Sequence, residues 1–556
     1  MLHNAKRNDV MKKIITAMLA LALVACPFTQ AFAKTPDSVP TGKTGGVIIS
    51  QGASGENYLN KTAGANSALP SRYSSVDMCY VTPVKDQKTQ NTCIFFSATA
   101  AMETSLLKNG YGEYDLSEEY ANYWASTRKD GTGWQRDRVE IGAFPYTGYG
   151  YLTTGGVVAE STLPYMSRTE EYFEDLEPMN PLFYAGGIKL LSGPDLNAVD
   201  YKKTIMEAGG VVSSFALVDE YLNTSTNAFY CGDELTEEQL GSNAHSVFVV
   251  GWDDNYSKEN FKSGAKPQND GAWIIKNSWG EHYSYIYVSY EDKYLGAEIF
   301  GGNYAINDII KNHTCNELLS VDSYGPIYNM SFYGNDDTEI TDATFINTFN
   351  FTKEMPSISS VEFSTEALGA DYKIYYIPTE NGIPVYDESL WIELADGQIE
   401  YKGIQNIAVD SYIVPKSDGA IGVKITSSDG TSATIGCCEW YGDYENNNFL
   451  FLPKVIDNRS FVQFGNNNIS LTEFYGMVDD SIGGNFTIRA VANVIKGDIE
   501  HDGSLSINDV TTLQQHLAEM IMLDSDTLSY VADVNSDGVV AIDDATEIQS
   551  IIAGIV

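Results

Sequence analysis

Gln87 and Cys93 stand six residues apart in the run Val84–Met102, and the cysteine opens a small-residue stretch of helical character. That pairing joins a nucleophile to the means of using it. A thiolate attacks carbonyl carbon far better than a thiol, and a helix N-terminus favours negative charge on a cysteine placed there. A Gln amide just upstream can donate a hydrogen bond to a developing oxyanion. The same residues allow a plainer reading. Phe95, Ala98, Met102 and Leu106 recur at helical spacing, as in any core helix opened by a buried cysteine.

Two later runs supply what a nucleophile needs. His245 begins the apolar run Ala244–Trp252, whose pattern predicts a buried strand. A second apolar run from Ala272 ends in Asn277-Ser278-Trp279-Gly280. A cysteine nucleophile needs a base to take and return its proton, and a third group to fix the imidazole tautomer. Cys93, His245 and Asn277 provide these in chain order, the histidine about 150 residues after the cysteine.

With Leu69-Pro70 and Val81–Gln87 ahead of it, this constellation resembles the papain-like cysteine peptidases. The resemblance implies an α+β peptidase, protein or peptide substrates, and no cofactor for catalysis. Carried over by motif, Cys93 is the nucleophile and His245 the general base and acid. Asn277 orients the imidazole, and Gln87 joins the backbone N–H of Cys93 as oxyanion donor. Trp279 shields the Asn–His hydrogen bond at the substrate site. Gly142, ahead of Tyr151-Leu152 and Gly155–Glu160, matches a groove-lining segment where glycine admits an extended substrate backbone. An ordinary loop glycine reads the same way. Three departures stand out: Ile94 follows the nucleophile where Trp is usual, Ala244 precedes the histidine where Asp or Asn is usual, and position 90 holds no cysteine for the family's disulfide. Ile94 keeps a second reading open, a catalytically degenerate papain-like protein retained for binding or adhesion.

A chain of 556 residues exceeds one core, and 43% hydrophobic with 12% aromatic content is that of globular domains. The formal charge of −41 argues against nucleic acid or anionic membranes as partners. Lys12-Lys13, the apolar Ile14–Ala25 and Ala31-Phe32-Ala33 read as a signal peptide, so export is expected. Leu23-Val24-Ala25-Cys26 also resembles a lipoprotein box, but Ala33 is the better-placed cleavage site. Cleavage there removes four basic residues and one acidic residue, taking the charge to about −44. Apart from Cys93, five cysteines then remain, an odd number, so no dense disulfide framework is expected. The adjacent Cys437 and Cys438 are expected on opposite faces of a strand.

Residues 34–68 are rich in Gly, Ser, Thr and Asn without helical periodicity, as in a short pro-segment or linker. From about Asn303 to Asn493, period-two runs such as Ser359–Ser364, Tyr372–Ile377 and Ile421–Ile425 predict a β-sandwich. Turns are expected at Asn381-Gly382, Ser417-Asp418-Gly419 and Ser428-Asp429-Gly430. Placed after a papain-like domain, this region resembles the lectin-like domain of some bacterial cell-surface peptidases. That leaves cell-wall or plant glycans open as partners. Trp440 and Tyr441 could stack on sugars, though the sandwich core claims such residues more readily.

The last sixty residues, Gly497–Val556, hold twelve Asp or Glu and no Lys or Arg, and repeat at an offset of 35. Asp498, Glu500, Asp502, Gly503 and Asp509 recur as Asp533, Asn535, Asp537, Gly538 and Asp544. Ile507, Leu513 and Leu517 recur as Ile542, Ile548 and Ile552. Oxygen ligands at loop positions 1, 3, 5 and 12, a backbone carbonyl from Ser504 or Val539 at position 7 and glycine at 6 are the chemistry of a calcium loop. Two Ca2+ sites are therefore expected. The paired loop–helix units resemble a type I dockerin, which implies a cohesin domain of a scaffold protein as partner. By family position, Ile507, Asn508, Ile542 and Asp543 face the cohesin.

The expected architecture is multidomain. A signal peptide (1–33) and pro-segment or linker (34–68) precede the α+β papain-like peptidase (69–302). A β-sandwich (303–494) and a small α-helical calcium-binding dockerin (495–556) follow. The expected location is extracellular, on a cellulosome or the cell surface, in the service of polysaccharide breakdown.

Overall fold

The computed structural model describes residues 69–555, with 47 and 59 ahead of them. Interruptions fall at 130–132, 136–141, 167–175, 194–195, 313–314, 323, 334–337, 352–354, 415–417, 429, 440–449, 453–455 and 479–482. The predicted signal peptide, nearly all of the pro-segment, and Trp440 and Tyr441 lie outside the described residues. No helix among the described residues is long and apolar enough to cross a membrane.

The chain forms two compact units, one of Met1–Asp115 and Ser192–Asn303, the other of Leu116–Leu191 and Tyr304–Val556. In the first unit the cysteine opens helix α1 (Cys93–Lys108). The predicted apolar stripe is only part of its interior, because every residue from Cys93 to Leu106 is buried. Such a helix is held by packing on all sides rather than by an amphipathic face. It packs on strand β2 (Ala244–Asp253), which runs between β1 (Val211–Ala216) and β3 (Ala272–Lys276), with β4 (Tyr285–Ser289) beyond. All pairs in this set are antiparallel, and a bulge interrupts the β2–β3 register between Val249 and Gly251. The two apolar runs are thus adjacent central strands. This places His245 at the start of β2 and Asn277 just past the end of β3.

The second unit contains the expected sandwich. One sheet is built on β5 (Asp342–Asn350), β7 (Asp371–Ile377), β8 (Ile392–Gln398), β10 (Asp418–Thr426), β11 (Ser460–Phe464) and β12 (Asn467–Ser470), in the order β8-β7-β10-β5-β11-β12. Another pairs β6 (Ser357–Thr365) with β9 (Gly403–Ile413) and β13 (Ile488–Asn493). Phe345, Phe349, Val361, Phe363, Val423 and Ile488 meet in the core between them. The strand Phe183–Leu191 joins the second sheet through Ile188 opposite Ile404 and Lys189 opposite Gly403. That pairing is why residues 116–191 gather with the later part of the chain, across the linear order of the predicted domains.

The predicted turn at Asn381-Gly382 is present, both residues at positive φ between the short strands Thr379–Glu380 and Ile383–Pro384. Of the turn expected at Ser417-Asp418-Gly419, Ser417 lies outside the described residues, while Asp418 and Gly419 pair with Asn350 and Phe349 as the first residues of β10. Cys93, Cys231, Cys315, Cys437 and Cys438 are all buried thiols rather than disulfides.

The acidic repeats form α2 (Ile507–Leu517) and α3 (Ile542–Ile552), which pack on each other. Leu513 and Ile548 are fully buried between them with Val510, Val531 and Ala545, while Leu517 packs at the edge. Ile552, expected in this core, is 43% exposed, because α3 ends at that residue, beyond its inward-facing turns.

Candidate functional site

Around Cys93 the first unit assembles the predicted set. His245 Nε2 lies 2.8 Å from Asn277 Oδ1, both side chains buried. That bond holds Nε2 and leaves Nδ1 as the ring nitrogen able to exchange a proton with a nucleophile. The Trp279 ring lies 4.9 Å from the imidazole and Tyr283 meets Trp279 edge-on, so the Asn–His pair is covered by aromatic surface. The backbone N–H of Ser246 donates to Cys93 Sγ at 3.3 Å, tying the residue after the histidine to the nucleophile.

Gln87 is fully buried and its amide is fixed at both ends. Ser278 Oγ donates to Oε1 at 2.6 Å, and Nε2 donates to the Gln90 carbonyl at 2.8 Å. The Gln90 carbonyl assigns the amide's orientation, because a carbonyl oxygen only accepts and so must face the NH2 end. The loop carrying Gln87 is bound to the Asn277 loop by Gln87 N–H to Ser278 O at 2.9 Å and Gly280 N–H to Lys85 O at 3.0 Å. Beneath them, Lys276 Nζ donates to Thr82 Oγ1 at 3.0 Å. Thr82 donates to buried Glu103 on α1 at 2.5 Å, and Lys85 pairs with Glu103 at 2.7 Å. One polar chain therefore links the helix opened by Cys93, the segment leading to Gln87 and the strand leading to Asn277.

At Cys93 burial works against the helix N-terminus. Burial pushes the Cys93 thiol up to about 12, against the opposing pull of the N–H groups of Ser246, Ile94 and Cys93 itself. The N–H groups at the helix N-terminus thus favour the thiolate, and burial opposes it. Coupling to protonation of His245, with thiolate and imidazolium formed as a pair, would offset that cost. Ile94, the departure beside the nucleophile, is buried, as is Ala244. Gln90, where no disulfide can form, supplies instead the carbonyl that holds Gln87.

Sequence reasoning missed three hydroxyls. Ser278 orients Gln87, and Ser97 meets Ser246 at 2.7 Å, one helical turn beyond Cys93. The spacing of Ser97 from Cys93 was the available signal, since residues four apart share a helix face. Gly142 lies in the other unit, buried ahead of the helix Pro145–Gly150. In the segment that follows it, Gly155 is required by packing, because a Cβ there would stand 2.6 Å from the Trp124 indole.

The two acidic loops share one design. Asp498 accepts from the N–H groups of Asp502 and Gly503 at 3.0 and 2.8 Å, and Asp533 accepts from Asp537 and Gly538 at 3.1 and 3.0 Å. The twelfth-position carboxylates reach back in the same way: Asp509 to Glu500 and Ser506 N–H, Asp544 to Val534 and Ala541 N–H. Gly503 and Gly538 both have φ near +85°, at +83° and +86°. Oxygen-only donors wrapped by such a turn suit a hard cation such as calcium. Glu500 departs, its carboxylate taken by the Thr512 hydroxyl at 2.9 Å. Among the described residues no three His, Cys, Asp or Glu side chains stand grouped as a metal-holding set. In both loops the first and last carboxylates are instead spread over backbone N–H groups. Ile507, Asn508, Ile542 and Asp543 are all exposed, and the two isoleucines are each 61% accessible.

Residues 69–295 match the model of the papain family of cysteine proteases. Human cathepsin L2 is 28% identical over 205 residues, 37% of this chain and 55% of the cathepsin. Cysteine proteinase 1 of Entamoeba histolytica is 28% identical over 209 residues, 36% of this chain and 56% of that protein. The chain thus spans little more than half the length of these curated relatives. Among solved structures, the clostridial cysteine protease Cwp84 after propeptide cleavage is 29% identical with a TM-score of 0.64, over 76% of this chain and all of that one. A structure of the cysteine protease and lectin-like domains of Cwp84, a surface layer associated protein of Clostridium difficile, is 28% identical. Its TM-score is 0.65, over 78% of this chain and 91% of that one. Residues 69–295 are thus similar to the papain-family cysteine proteases in sequence and fold, and the chain carries a large additional β-rich region.

Proposed function

We propose that the chain is an exported cysteine endopeptidase that its C-terminal repeats dock onto a cohesin-bearing scaffold. The observation that carries the peptidase reading is the buried His245–Asn277 pair at 2.8 Å beside a cysteine whose sulfur receives the N–H of Ser246. In the reaction, Cys93 Sγ attacks the scissile carbonyl as its proton passes to His245. The oxyanion is met by Gln87 Nε2 and the Cys93 backbone N–H. His245 then protonates the leaving amine, and water hydrolyses the thioester with His245 as base. Similarity to a surface layer associated protease supports a location outside the cell or on its surface.

The alternative, a degenerate papain-like binding protein, draws on the burial that holds Cys93 as a thiol. One experiment separates the two. The purified chain is given a casein substrate and a thiol-reactive epoxide. Hydrolysis blocked by the epoxide and abolished by Cys93→Ala supports the peptidase. A chain that neither cleaves nor takes up the epoxide is the degenerate form.

For the repeats, Asp498, Asp502, Asp509, Asp533, Asn535, Asp537 and Asp544, with the carbonyls of Ser504 and Val539, would hold two calcium ions. Bound there, the ions would neutralise carboxylates and set the helices whose exposed Ile507, Asn508, Ile542 and Asp543 meet a cohesin. The conserved register of the two hydrogen-bond patterns supports this reading.

A further inference from the structure

The sandwich sheet β8-β7-β10-β5-β11-β12 has two faces, and only one is used by the core between the sheets. On the other, Ile346, Ile377, Ala420 and Phe461 form a separate apolar cluster, covered in part by Tyr386 and Trp391. Beside it lies a solvent-open cavity of about 890 Å³. That lies in the range of small-molecule sites, roughly 300–1,000 Å³.

The lining differs from an apolar slot. It carries amides (Asn350, Asn381, Asn458, Asn468), hydroxyls (Thr348, Thr379, Ser470) and the charges Asp418, Glu473 and Arg459 around the rings of Phe461 and Tyr386. Much of this polar set is already oriented. Thr379 donates to Asp418 Oδ2 at 3.0 Å, which leaves Oδ1 for a ligand. Arg459 donates to Asn350 Oδ1 at 3.3 Å, which turns the Asn350 NH2 outward as a donor. Asn381 and Asn458 both take φ of +55°, at turns that the protein holds in an uncommon conformation. Thr348 is 1% exposed, lies on the same strand face as Ile346, and its buried hydroxyl has no hydrogen-bond partner. A buried hydroxyl without a partner costs stability and calls for an explanation.

We propose that this cavity is a binding site for a neutral oligosaccharide of more than one ring. Sugar hydroxyls donate and accept at once, and a lining of amides, hydroxyls and carboxylates offers both donors and acceptors to them. Phe461 and Tyr386 offer flat surface to the C–H faces of a sugar ring. Two carboxylates against one guanidinium, in a chain of charge −41, disfavour an anionic ligand. The inference rests on the sandwich alone and goes beyond the peptidase reading.

The test uses the full chain carrying Cys93→Ala, to prevent self-digestion, in affinity electrophoresis through gels containing xylan, glucomannan or xyloglucan. Retention by at least one of these is expected, with calorimetry against the corresponding hexasaccharide giving the affinity. Asp418→Ala and Asn350→Ala should each weaken binding at least tenfold. Thr348→Val, nearly the same shape, should weaken binding while leaving the melting temperature unchanged or raised, since it removes a partnerless hydroxyl. That combination separates ligand contact from misfolding. Retention by none of the three polysaccharides overturns the proposal, and so does retention that the three substitutions leave unchanged. Selection of peptides by this face from a neutral peptide library, with no glycan retention, overturns it in favour of a protein ligand.

Discussion

Cys93 illustrates how far one side chain's reactivity depends on its neighbours. With the thiol pushed up by burial, a cysteine without a charged partner would be almost entirely un-ionised at pH 7. His245→Ala creates that situation. Alkylation of Cys93 by iodoacetamide in this variant should be very slow at pH 7 and rise about tenfold per pH unit into the alkaline range. The wild type, ionising as a pair with His245, should show a neutral plateau instead. Equal rates for the two proteins at pH 7 would refute the coupled pair. Gln87→Ala should lower kcat by about 10- to 1000-fold with little change in KM, as measured by steady-state hydrolysis. Ser278→Ala should lower kcat less, because it frees the amide's orientation and leaves the donor in place. The four side chains proposed for catalysis were legible as candidates because residue type and order along the chain already restrict the chemistry. Ser278 and Ser246 act through a hydroxyl and a backbone N–H, which carry no mark of that use in the sequence.

At the scale of elements, alternation and turn residues located the strands, since a half-buried strand imposes period two on its own residues. Pairing between distant strands was not legible. Arg489 on β13 shows why: it is fully buried, forks onto Asp322 at 3.0 and 2.6 Å, and reaches Glu362 on β6 at 3.3 Å. These partners lie 167 and 127 residues away, and nothing local marks them. Burial pushes Glu362 up to about 8, so at pH 7 its carboxyl is mostly protonated and Asp322 alone balances the guanidinium. The folded state then holds a proton that the unfolded chain releases above about pH 4.3. Stability from this group is therefore full below that value and lost as pH rises through about 8. Glu362→Gln should be nearly neutral at pH 5, and the variant's melting temperature should gain on the wild type between pH 5 and 9. Arg489→Ala, leaving a buried carboxylate alone, should destabilise by roughly 3–5 kcal/mol in denaturant unfolding. A Glu362→Gln protein that loses ground as pH rises would contradict this assignment.

For the whole molecule the dominant fact is charge, −41 in all, with twelve acidic residues and no Lys or Arg in the last sixty. Such a segment resists compaction through self-repulsion, yet its helices bury Leu513 and Ile548 against each other. Each repeat offers too small an apolar face to fold alone, so the pair must form together. The proposed calcium ions would relieve that repulsion at the two loops, each of which carries several carboxylates within twelve residues. The loops are unequal. Glu500 is held by Thr512, whereas Asn535 Oδ1 stays within its loop, accepting from Asp537 N–H at 2.9 Å. The second loop should therefore bind calcium more tightly. Added to the calcium-free full chain, calcium should raise the melting temperature of the repeat region. Asp533→Ala should reduce that rise more than Asp498→Ala. Cohesin capture by the full chain should follow the same order, and a chelator should abolish it. Capture that survives chelation, or that Asp533→Ala together with Asp498→Ala leaves intact, would show that the repeats fold and dock without the metal.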